Sequence, residues 1–252
     1  MANPVLNDKT FSGERAVALQ SEAQASGAVM TIDGTIGRGL VLFALLVVGG
    51  VVGWITVGGG QGTAPVFPTW LLIPMFGSLI VGMITAFVPK IAPVTAPIYT
   101  LGYGIVVGAV SAVYEAFYSG IVLQAVLVTG AVFAVMLALY TSRTIRVTPR
   151  LRLMIFGATL GVLLVYLGSW IVSLFGVSVP FFGNGWLGIG FSVLVAGVAA
   201  FNLLLDFDMI EQGSKMGAPR YYSWYCAWAL MVTLIWLYLT ILRLLAIVSG
   251  RR

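Results

Sequence analysis

The chain has 252 residues, of which 60% are hydrophobic and only 8% charged, with a net charge of +5. A soluble domain carries about 25% charged residues, so a water-coated globule is excluded and a polytopic helical membrane protein is indicated. No histidine and a single cysteine, Cys226, exclude an internal disulfide and a His/Cys zinc site. Cys226, in the aromatic start of the last apolar run, reads as a small packed side chain.

The opening 36 residues are polar and small, without the basic-then-apolar pattern of a cleaved signal peptide. Residues 1–37 are therefore expected to form a polar cytoplasmic tail, and 38–252 a seven-helix transmembrane domain. A span needs roughly 20 apolar residues to cross the hydrocarbon. Seven runs qualify, at about 38–57, 67–88, 94–118, 121–141, 152–176, 185–210 and 221–248. Glycine and proline clusters punctuate them, as in Gly58-Gly-Gly-Gln-Gly62 and Pro89-Lys-Ile-Ala-Pro93. Spans three and four are separated only by Ser119-Gly120, which predicts an antiparallel hairpin.

The 13 basic residues cluster in loops, a topology signal rather than a nucleic-acid surface. Ten of them fall on the side holding the N-terminus, against three, Arg243, Arg251 and Arg252, on the other. The positive-inside rule then places the N-terminus in the cytoplasm and the C-terminus outside. A six-span alternative, with one run re-entrant, would return the C-terminus to the cytoplasm. Trp54, Trp70, Trp170 and Trp186 fall near the expected outer ends, and Tyr221, Tyr222, Trp224 and Tyr225 at the inner start of span seven, as an interfacial belt would.

Two motifs carry no function. Gly183-Asn-Gly-Trp-Leu-Gly188 matches a dinucleotide fingerprint but neither follows a strand nor opens a βαβ unit. Gly104-Ile-Val-Val-Gly108 in span three is a small-residue pair that permits close helix approach. Seven spans invite a retinal-protein reading, but the only lysines, Lys9, Lys90 and Lys215, lie in the tail or loops, so no Schiff base can form in a span.

Residues 153–205 contain no charged side chain, and the run ends on Asp206, followed by Asp208 and Glu211. Ionisable groups at such a boundary are functional candidates by default. Positions two apart on a helix differ by about 200°, so Asp206 and Asp208 face different directions. Asn202 shares a face with Asp206, and Asp208 shares one with Glu211. Asp206 is thus the interior candidate, and Asp208 and Glu211 belong nearer the headgroups. Ionised, Asp206 would hold a cation or a basic side chain; protonated, it would release both. Glu115, late in span three, and Arg243, in the outer part of span seven, are expected to share the outer half, as an ion pair or with Glu115 on an ion path.

Span six ending in Leu203-Leu-Leu-Asp206-Phe-Asp-Met-Ile210, a short loop, and a last span ending in Leu239-Thr-Ile-Leu-Arg243-Leu-Leu resemble the Bax inhibitor-1 family, as do Ala96-Pro-Ile-Tyr99, Gly104, Gly108 and Ser111 of span three. The resemblance covers roughly 38–248 and is closest to bacterial members. It implies an all-α bundle of seven transmembrane helices with the last helix central. It also implies a pH-sensitive calcium leak in a bacterial inner membrane, with an aspartate late in span six paired to one in span seven. Asp206 matches the first position. The second falls on Thr233, counted back from Ile241-Leu242-Arg243, and span seven has no acid. One carboxylate and a threonine hydroxyl cannot share a proton as two acids do, and calcium normally takes six or more oxygens. A site on Asp206, Thr233 and Asn202 would be weak and water-rich. Lys90 is the stand-in for the family's basic latch residue.

The resulting expectation is a passive leak for calcium or a related cation, gated by protons at Asp206, in contact with the bilayer and needing no cofactor and no nucleic acid. The alternative is a non-conducting regulator that binds a membrane protease or stress-response partner. With no histidine and no nucleophile–base pair, an enzyme is not expected.

Overall fold

In the computed structural model, residues 29–58, 68–175 and 185–250 are described. Among them seven helices are long and apolar enough to cross a membrane. They are α1 (Ile32–Val57), α2 (Leu72–Phe87), α3 (Ala92–Phe117), α4 (Ile121–Thr141), α5 (Pro149–Leu174), α6 (Trp186–Lys215) and α7 (Tyr221–Ser249). Short 3-10 turns, Thr69–Leu71 and Pro89–Ile91, lead into α2 and α3. The chain divides into two compact units: the described residues up to Phe117 with Asp206–Val232, and Tyr118–Leu205 with the residues from Thr233.

The first unit is built on a glycine crossing. A Cβ at Gly49 or Gly53 of α1 would overlap the carbonyl oxygens of Leu101 and Ile105 on α3. Conversely, a Cβ at Gly104 would lie 2.6 Å from the Leu46 carbonyl oxygen, and one at Gly108 would overlap that of Gly50. Backbone therefore meets backbone, and the rising register (46 with 104, 50 with 108) makes α1 and α3 parallel. The sequence exposes the Gly104–Gly108 half of this contact; its partner Gly49–Gly53 was not anticipated. α2 runs antiparallel to α3, with Ser78 against Gly102 and Gly82 against the Tyr99 ring. Val57, Leu71, Ala109 and Ala112 form a small apolar core with Trp54, Ile105 and Val113 around it.

α1 starts at Ile32, six residues before the expected Arg38. Thr31 caps it, its hydroxyl accepting from the Gly34 amide at 3.0 Å, and Asp33 in the first turn suits the helix dipole. Just upstream, the Met30 amide donates to the Ala218 carbonyl at 2.7 Å, Val29 bridges Pro219, and the buried Met30 side chain lies over Gly213. The end of the expected tail is thus fastened to the α6–α7 turn; residues 1–28 lie outside the described residues.

In the second unit, Gly120 adopts the left-handed conformation (φ 79°) that starts α4. Thr148 caps α5, with Pro149 at its first position. α5 and α6 run antiparallel: Asn202 Nδ2 donates to Thr159 Oγ1 at 2.8 Å, and the Tyr166 and Phe191 rings lie 5.8 Å apart.

Burial grades the spans. Half of the α7 window is buried, against 44% for α3, 39% for α6 and 11–22% for the others. No residue from Tyr221 to Ile247 is exposed, and α7 is the most buried of the seven spans. The outer spans present aliphatic surface, such as Ile73, Leu123 and Leu164, which only a lipid solvent tolerates. Trp70, Trp170 and Trp186 are exposed as interfacial anchors should be, but Tyr222 and Tyr225 are buried. Those two tyrosines are core residues, a correction to the inner aromatic belt.

Candidate functional site

α6 continues to Lys215, so Asp206, Asp208 and Glu211 sit inside a regular helix, not at its end as the sequence suggests. Ser192, Val195, Ala199, Leu203 and Asp206 recur at helical spacing and are all buried. Asp206 lies on this stripe with 9% of its surface accessible. Asp208, about 200° around the helix, is half-buried and accepts from Gln212 Nε2 at 2.7 Å. Glu211 forms an ion pair with Lys215 one turn on. Helical geometry thus separates one enclosed acid from two peripheral ones, as the spacing requires.

Asp206 and the start of α7 belong to the same unit, and the start of α7 holds buried neutral polar groups. The wholly buried thiol of Cys226 lies within electrostatic range of the Asp206 carboxyl. Ser223 and Trp228 are also buried, and their Oγ and Nε1 atoms have no hydrogen-bond partner among the described residues. Tyr222, Tyr225 and Trp228 form a ladder of tilted rings 5.6 Å apart, and Trp228 meets Tyr99 of α3 edge-on at 5.7 Å. Gly82 of α2 makes room for both the Tyr99 and Trp228 rings. Sequence reading missed Ser223 and Trp228 as polar groups and took Cys226 only as packing. The absence of any charge between Arg220 and Arg243 is the signal that every polar atom there is a candidate.

The other candidates divide between the two units. Thr233, buried at 8% accessibility, belongs to the second unit and lies seven residues beyond Cys226, on nearly the same face of α7. Asn202 is occupied with Thr159 and with the Val198 carbonyl, at 2.8 Å each. Its amide therefore ties α5 to α6. Glu115 is half-buried two residues before the end of α3, and Arg243 is half-buried six residues before the end of α7. They fall in different units. Lys90 is exposed in the 3-10 turn before α3.

Chemically, the arrangement offers one buried carboxylate with a thiol within its electrostatic reach. Among the described residues no group of three or more His, Cys, Asp or Glu could hold a metal. One carboxylate falls far short of the six or more oxygens of a resident calcium site. A proton, by contrast, needs only the carboxyl itself.

A family model described as Bax inhibitor 1 like matches residues 3–250. No curated protein and no solved structure matches the chain.

Proposed function

The chain belongs to the Bax inhibitor 1 like family, as a multi-pass membrane protein, and from that premise we propose that it passively leaks calcium or a related cation under proton control at Asp206. The enclosed position of Asp206 on the buried stripe of α6 carries the reading. A carboxylate is costly at such a place, and it is retained where its charge acts. Ionised, Asp206 attracts a cation or a basic side chain and keeps α6 against its neighbours. Protonated, it loses that attraction, and the buried groups around it can separate. The membrane is a bacterial inner membrane, with the N-terminus in the cytoplasm on the side of the basic loops. No covalent chemistry is involved.

The test is flux into liposomes loaded with a calcium-sensitive dye, for the wild type, Asp206→Asn and Asp208→Asn, across pH. Asp206→Asn should abolish the pH response, and Asp208→Asn should leave it within about twofold, because Asp208 is bound to Gln212 off the buried stripe. Cys226, the only thiol, gives a second readout. It should resist a membrane-permeant maleimide when the leak is closed and react when it is open. Equal flux and pH response in wild type and Asp206→Asn would refute the reading.

A second reading, a non-conducting regulator of a membrane protein partner, is favoured by the lack of any acid in α7, where Thr233 stands at the expected position. Absence of calcium flux in the wild type at every pH would select it.

A further inference from the structure

Arg38 and Arg220 are the candidates outside the Asp206 region whose geometry calls for a ligand. Arg38 lies in the second turn of α1, its Nη1 donating to the Gly34 carbonyl at 2.9 Å and its guanidinium lying 5.8 Å from the centre of the Trp224 ring. Arg220 directly precedes α7, and Trp224, four residues on, shares its face. The Arg38 guanidinium thus lies over the Trp224 indole, and Arg220 enters from the turn just before α7, its charge acting on that of Arg38. Among the described residues no carboxylate pairs with either of them; Asp33, the acid nearest Arg38 in sequence, is exposed and makes no ion pair with it.

Bringing two like charges together is unfavourable unless an anion joins them. The planar fork of arginine fits a phosphate with two parallel hydrogen bonds, and two forks fit opposite edges of one phosphate. The depth is that of a headgroup: the apolar run of α1 begins immediately after Arg38, and tryptophan favours this interface. Val41, three residues beyond Arg38 and near its face of α1, is exposed and offers an apolar surface for an acyl chain. A free phosphate would use the charges but not that surface.

We propose that Arg38, Arg220 and Trp224 form a binding site for an anionic phospholipid, with the two guanidiniums on its phosphodiester and the aliphatic face of α1 beneath its acyl chains. Each basic residue near an anionic membrane surface contributes about 1 kcal/mol, a roughly fivefold gain in binding. The site is independent of the leak proposed for Asp206.

The experiment uses the full chain in detergent with mixed micelles of phosphatidylglycerol and phosphatidylcholine, the retained lipids being counted by native mass spectrometry. Wild type should retain phosphatidylglycerol over phosphatidylcholine, and inorganic phosphate at the same concentration should not displace it. Arg38→Gln/Arg220→Gln should lower that retention about 25-fold, the product of two fivefold effects. Should Arg38→Gln not fold, Arg220→Gln alone, at an exposed position, should lower it about fivefold. Retention unchanged in the folded variants, no preference between the two lipids in wild type, or displacement by inorganic phosphate would each overturn the proposal.

Discussion

Replacing Gly108 by alanine isolates the backbone contact on which α1 and α3 cross. The new Cβ would overlap the Gly50 carbonyl oxygen and lie 2.6 Å from the Gly50 carbonyl carbon and 2.7 Å from its Cα. Carbon atoms rest about 3.5–4.0 Å apart, so the helices must part by roughly 1 Å, and no side chain stands between them to yield. Overfilling a packed interior costs about 1–3 kcal/mol, and backbone on both sides places this change at the upper end. Alanine returns about 1 kcal/mol through helix propensity, leaving a net loss of about 2 kcal/mol. At about 2–4 °C per kcal/mol for a chain of this size, Tm should fall by roughly 4–8 °C. Gly130 of α4 is the control: it is exposed, and a Cβ there meets nothing within 4 Å. Gly130→Ala should keep only the propensity gain and raise Tm by roughly 2–4 °C. Thermal unfolding in one detergent, followed by tryptophan fluorescence, measures both. Opposite signs are required, and a Gly108→Ala protein as stable as Gly130→Ala would refute the close crossing.

Asn202→Leu should cost about 0.6 kcal/mol, the average for an interhelical hydrogen bond in a membrane. Its coupling to Thr159→Val in a double-mutant cycle of unfolding free energies should account for most of that loss, with calcium flux unchanged; a lost pH response would return Asn202 to the ion pathway. Met30→Asp removes a buried side chain that lies over Gly213, and such burial contributes roughly 1.5–3 kcal/mol. Amide exchange at Met30 and across Gly213–Ala218 should accelerate at least tenfold, while α3 amides are unaffected; equal acceleration in α3 would mean global destabilisation instead. Thr233→Asp supplies a second acid to α7, and two carboxylates that share a proton titrate as a coupled pair. The pH dependence of flux should change in steepness or midpoint, and an unchanged profile would mean that position 233 does not act with Asp206.

Spans were legible because apolar length and glycine or proline punctuation are local properties. The expected 121–141 run coincides with α4, and most other boundaries lie within about three residues. α1 and α6 were drawn short at their polar ends because hydropathy marks the hydrocarbon, whereas a helix persists into the headgroups. Thr31 with Asp33, a cap and a first-turn acid, was the start signal available for α1. The division of Asp206 from Asp208 follows from helical rotation alone. What stayed hidden depends on residues distant in sequence: Gly49–Gly53 meeting Gly104–Gly108, Asn202 reaching Thr159, and Met30 seated over Gly213. The burial of Tyr222 and Tyr225 was misread because a phenol suits a headgroup interface and an aromatic core equally well.

α7 is the most buried of the seven described spans and is synthesised after the other six. Chains fold from the N-terminus as they emerge, so the six earlier helices enter the membrane before the one most surrounded by protein exists. Until α7 arrives, the surfaces that bury Cys226, Trp228 and Leu237 face lipid or a partner that shields them. A ribosome that stops short of residue 221 leaves six lipid-compatible helices without the most buried span, a substrate for membrane quality control.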